Sequence, residues 1–132
     1  MKGPTDLIQG WLRKAASDLT AMEASFKAGA LDAACFHAQQ ASEKYLKAFL
    51  TSQDQSFPYT HNLAKLIGLC AQTDSAFKDL LPFADLLTPY AVEMRYDAEF
   101  WPSAEAAARA QEIALEFKHF VLSRIGHQAS NQ

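Results

Sequence analysis

Cysteine, glycine and proline are scarce in this chain, and positive charge is not in excess. The two cysteines, Cys35 and Cys70, are too few for a disulfide framework, and by themselves cannot make a four-ligand zinc site. The net charge is −3 and the sequence pI is about 5.7. That balance argues against a protein that coats nucleic acid through bulk charge, while leaving room for a local basic patch. No apolar run approaches the roughly 18 residues of a membrane span. Gly10, Arg13 and Lys14 interrupt the stretch where a signal peptide would carry its apolar core. Glycine motifs that cradle phosphate are missing, both the P-loop and Gly-x-Gly-x-x-Gly. Glu-x-x-His, which a di-iron bundle needs twice, occurs once, at Glu116 and His119. β-Branched residues never cluster in alternating runs, so a sheet is not expected. The expectation is a soluble, reduced, cytoplasmic protein with no metal and no cofactor.

What is present is an alanine-rich chain of 132 residues, 49% hydrophobic and 20% charged. That is one domain, 1–132, with a core large enough to fold alone. Apolar residues recur at helical spacing. A first helix is predicted from about Thr5 to Ala28, with Thr5 or Asp6 as cap and Gly29 as its left-handed stop. A second covers Asp32 to Thr51. On a helical wheel Ala34, Ala38, Ala41, Tyr45, Ala48 and Phe49 share one face of it. Gln39, Gln40, Glu43, Lys44, Lys47 and His37 share the opposite side with Phe36. A short helix is predicted over Asn62 to Gln72, and a fourth over Ser75 to Tyr96, kinked or split at Pro82 and Pro89. The last covers Ala104 to Ile125, capped by Ser103 and stopped by Gly126. The fold class is all-α, an up-and-down bundle of four long helices and one short one. The ordered core is about 5–125, with a frayed tail at 126–132.

Two places carry chemical signal. One is the polar side of the second helix, which can equally be a solvated face with ordinary ion pairs such as Glu43 to Lys47. The other is Tyr90 to Asp97. There Arg95 can serve the helix dipole or, with its planar fork, bind phosphate oxygens. Both cysteines fall on or beside buried stripes and read as small core residues.

At these residues the sequence resembles the HEPN domain family, named for higher eukaryotes and prokaryotes nucleotide-binding. The likeness rests on Cys35-Phe36-His37-Ala38-Gln39-Gln40-Ala41, continued by Glu43-Lys44 and Leu46-Lys47-Ala48. His61-Asn62-Leu63, Arg95-Tyr96-Asp97 and an alanine-rich final helix extend it over roughly residues 5 to 125. The resemblance implies a four- to five-helix bundle, a homodimer, and a minimal nucleotidyltransferase as partner in a toxin–antitoxin-like pair. It also implies, for catalytic members, metal-independent RNA cleavage by an Arg and a His separated by four to six residues. This chain departs there, because that spacing from Arg95 reaches Phe100, Trp101 and Pro102. Arg13, Arg109 and Arg124 fail the same test. Arginine holds its proton and cannot act as the base that RNA cleavage needs.

The expected function is therefore a binding module for a nucleotide or RNA phosphate, without catalytic residues of its own. The alternatives are an endoribonuclease toxin that borrows His37 or His61, and a dimeric scaffold with no ligand. The candidate ligand-binding residues are Arg95, Tyr96, Lys44, Lys47, His61 and His37. Tyr90 and Tyr96 offer ring faces to a base. Phe57, Tyr59, Phe100 and Trp101, in predicted loops, are the candidate contact surface of the dimer.

Overall fold

The computed structural model describes the backbone of residues 3–130 and side chains as far as Ile125. Among the described residues there is no strand. Helix α1 spans Pro4–Lys27, α2 Leu31–Ser52, α3 Leu63–Ala71, α4 Leu81–Leu87 and α5 Ala104–Ser130. Two 3-10 helices, Ser75–Leu80 and Thr88–Tyr90, flank α4.

Helix α1 starts one residue earlier than the sequence suggests, with Pro4 at its first position. There the missing N–H costs nothing, since the first donors of a helix have no partner within it. Asp6 acts from inside the first turn, its carboxylate accepting the Gly3 N–H at 3.3 Å. The helix ends in a Schellman motif. Gly29 takes φ +81°, its N–H bonds the Phe26 carbonyl and the Ala30 N–H bonds that of Ser25. The chain turns back in three residues, so α1 and α2 pack along each other.

Helix α2 is the central element and touches α1, α3 and α5. Its alanine face is buried as the wheel requires, from Ala34 through Phe49. Small side chains there let α5 approach closely, presenting Ala107, Ala110, Ile113, Ala114, Phe117 and Val121. Ala106 and Phe120 are half-buried at the edge of that seam. Asn62 caps α3 by accepting the Lys65 N–H, and Ser103 caps α5 by accepting the Ala106 N–H.

The fourth predicted helix is split at its prolines. Pro82 lies in the first turn of α4 and Pro89 in that of the second 3-10 helix, so each begins a new segment. After Tyr90 the chain runs through turns and irregular backbone to Ser103. At the other end α5 continues through Gly126 to Ser130. Glycine in a helix costs only about 1 kcal/mol, too little to stop this one. Residues 131 and 132, the end of the expected tail, lie outside the described residues.

Candidate functional site

The largest difference from the sequence reading lies on α2. Gln39, Glu43 and Lys47 do not form a solvated face; all three are buried. Trp11 of α1 and Phe57 and His61 of the loop after α2 cover them. Glu43, only 3% exposed, accepts three hydrogen bonds. They come from Gln39 Nε2 at 3.1 Å, His61 Nδ1 at 2.8 Å and Lys47 Nζ at 2.8 Å. A buried carboxylate requires such donors. The Lys47 ammonium also sits 5.5 Å from the Trp11 ring centroid and 5.7 Å from that of Phe57, whose rings meet edge to face. The expected Glu43–Lys47 pair is thus present, but buried.

A second carboxylate, Asp18 on α1, holds the other flank of α2. It accepts from His37 Nδ1 at 2.9 Å and from Lys44 Nζ. Because an ionised carboxylate only accepts, Nδ1 of His37 carries the proton. Its Nε2 has no partner among the described residues.

His37 lines a cavity of about 250 Å³ together with Asp32, Phe36, Tyr90, Arg95 and Phe100. One wall is the start of α2, the other the irregular segment after Tyr90. The Arg95 guanidinium stacks 4.2 Å from the centroid of Phe36, and the Phe36 ring meets His37 edge to face. The Tyr90 and Phe100 rings pack at a tilt of 44°, centroids 5.7 Å apart. Burial, partly offset by a hydrogen bond with Tyr90, pushes the Cys35 thiol up to about 11. Burial likewise pushes the Tyr90 hydroxyl up to about 12. Both stay neutral near pH 7, so this pair fixes the Tyr90 ring and supplies no nucleophile. No carboxylate among the described residues pairs with Arg95.

The structure therefore brings Arg95 and His37 to one cavity, with Lys44 tied to His37 through Asp18. It does not bring Lys47 and His61 there; they belong to the Glu43 cluster. Tyr96 is 77% exposed, its ring 5.8 Å from the Arg95 guanidinium and outside the cavity wall. Of the four loop aromatics, Tyr59 and Trp101 are exposed, while Phe57 and Phe100 are half-buried on Trp11 and Tyr90. Two site residues escape a reading of the sequence, Asp18 and Asp32. Asp18 leaves a signal, a lone carboxylate at the register of the Ala15, Leu19 and Met22 stripe. Among the described residues no group of His, Cys, Asp and Glu is placed to hold a metal ion.

The described residues form an all-α bundle around a central helix, and that sets the class of fold. The sequence family described as the HEPN domain matches residues 8–125, and the chain belongs to that family. In fold it is similar to the crystal structure of TT1696 from Thermus thermophilus. The TM-score is 0.78 at 25% identity, covering 88% of this chain and 96% of that one. It is also similar to ST0689, an archaeal HEPN homologue, with a TM-score of 0.72 at 22% identity, covering 95% and 99% of the two chains. No curated protein sequence matches the chain significantly.

Proposed function

We propose that this chain is a HEPN-type binding module that holds a nucleotide or an RNA phosphate at the Arg95 cavity. One observation carries the reading. The Arg95 guanidinium lies over the Phe36 ring and no carboxylate among the described residues pairs with it, so its donors remain available at the cavity mouth. A fork of this kind suits phosphate oxygens. The Tyr90 and Phe100 rings give a base a surface to stack on. The cavity is smaller than the roughly 300–1,000 Å³ of a typical ligand site, which fits part of one nucleotide with the remainder in solvent. Isothermal titration calorimetry with a panel of nucleotides tests the reading. Arg95→Ala is expected to weaken binding by roughly 1–3 kcal/mol and to leave the circular dichroism unchanged. Absence of binding by the wild type, or binding indifferent to Arg95→Ala, overturns it.

In this reading the domain works in the cytoplasm as a homodimer, paired with a minimal nucleotidyltransferase in a toxin–antitoxin-like module. Exposed Tyr59, Tyr96 and Trp101 support a protein contact surface. Light scattering is expected to give twice the 14.6 kDa chain mass.

A second reading, a metal-independent ribonuclease, is favoured by the Asp18–His37 pair. With Nδ1 bonded to Asp18, Nε2 of His37 can accept the proton of a 2′-hydroxyl as O2′ bonds to phosphorus and the P–O5′ bond breaks, the 5′-oxygen taking a proton from water, while Arg95 stabilises the phosphate. RNA cleavage in the presence of chelator, surviving stringent purification and lost in His37→Ala, is the outcome that selects it.

A further inference from the structure

The cavity carries an opposite charge beside Arg95, on an exposed side chain. Asp32, in the first turn of α2, lines it together with Arg95. The two do not neutralise each other, since no ion pair joins them or links either one to another described residue. A purely anionic ligand would be drawn by Arg95 and repelled by Asp32. A ligand with an anion at one end and hydrogen-bond donors at the other satisfies both.

We propose that Asp32 selects the base and that the base is guanine; this rests on the nucleotide reading above. An ionised carboxylate has two parallel acceptors and no donor. Guanine presents two adjacent donors on its Watson–Crick edge, N1–H and the 2-amino group, and so meets both oxygens. Adenine and cytosine each place a ring-nitrogen acceptor beside their amino group, and uracil flanks its one N–H with two carbonyls. Each sets at least one acceptor against the carboxylate. Tyr90 and Phe100 supply the aromatic surface for the purine ring, and Arg95 holds the phosphate.

Calorimetry with guanosine monophosphate and inosine monophosphate tests this, because inosine lacks only the 2-amino group. The wild type is expected to prefer the guanine nucleotide by roughly tenfold or more, one charge-assisted hydrogen bond's worth. Asp32→Asn is expected to abolish that preference, and a circular dichroism spectrum unchanged from the wild type reports that the variant is folded. Arg95→Ala is expected to weaken both nucleotides alike. Equal binding of the two nucleotides by the wild type, or a preference that survives Asp32→Asn, overturns the role of Asp32 and leaves the nucleotide site standing. No binding of either nucleotide overturns both.

Discussion

The Arg95 guanidinium lies 4.2 Å from the centroid of the Phe36 ring, and this stack joins the irregular segment after Tyr90 to the second turn of α2. The ring orients the cation, and the cation covers a ring that the bundle leaves half-buried. Replacing Phe36 by Leu keeps apolar bulk and removes the π-face. The expected result is a nucleotide affinity lower by about 0.5–2 kcal/mol, the range for a cation–π contact. Calorimetry on the variant measures it, and an unchanged affinity would mean that Arg95 needs no platform.

Glu43 answers to three donors, so its removal is expected to cost far more than a surface ion pair. Glu43→Ala leaves the Lys47 ammonium buried and without its carboxylate, at a cost of about 3–5 kcal/mol. The double variant Glu43→Leu, Lys47→Met removes both charges and is expected to be more stable than the single one. Urea unfolding of the two variants compares them.

Gly29 ends α1 in the left-handed region, and an added Cβ would meet no atom within 4 Å. The cost of Gly29→Ala is therefore backbone strain alone, about 1–2 kcal/mol. Gly29→Asn is expected to cost less, because asparagine visits that region more readily. Thermal unfolding by circular dichroism checks the order.

Alkaline pH is expected to destabilise the fold. Burial pushes the Cys35 thiol up to about 11 and the Cys70 thiol up to about 12, from an ordinary value of 9.0. In the unfolded chain both ionise earlier, so between pH 9 and 11 the unfolded state binds fewer protons than the folded one. Stability is then full below pH 9 and falls as pH rises, by about 1.4 kcal/mol per pH unit for each thiol. Urea midpoints from pH 7 to 10.5 measure the slope. A Cys35→Ala, Cys70→Ala variant is expected to lose the slope between pH 9 and 10, above which the buried Tyr90 hydroxyl adds its own.

The bundle is legible in the sequence because its signals are local. Helical spacing, Ser103 as a cap, Gly29 as a stop and the prolines that divide the fourth segment all act within a few residues. The polar side of α2 is illegible for the complementary reason. A wheel places Gln39, Glu43 and Lys47 together, but says nothing about the loop at Phe57 and His61 that folds over them. Arg95 and His37 are both legible as candidates. Their meeting at one cavity depends on an irregular segment with no periodicity to read. Asp32 looks like an ordinary first-turn carboxylate, and only its place in the cavity wall gives it a second role.

The path from Ala91 to Ser103 has few backbone hydrogen bonds, among them Met94 to Pro89 and Phe100 to Asp97, and few buried anchors, chiefly Ala91 and Pro102. Such a stretch opens at low free energy, whereas the core of α2 opens only with global unfolding. The cavity is thus a joint between an early-melting wall and a late-melting one. Amide exchange at Arg95 and Tyr96 is expected to be orders of magnitude faster than at Leu46 and Phe49. A ligand that bridges the joint would slow the fast side alone, so occupancy can be followed in hydrogen exchange even where the bundle gives no sign of it.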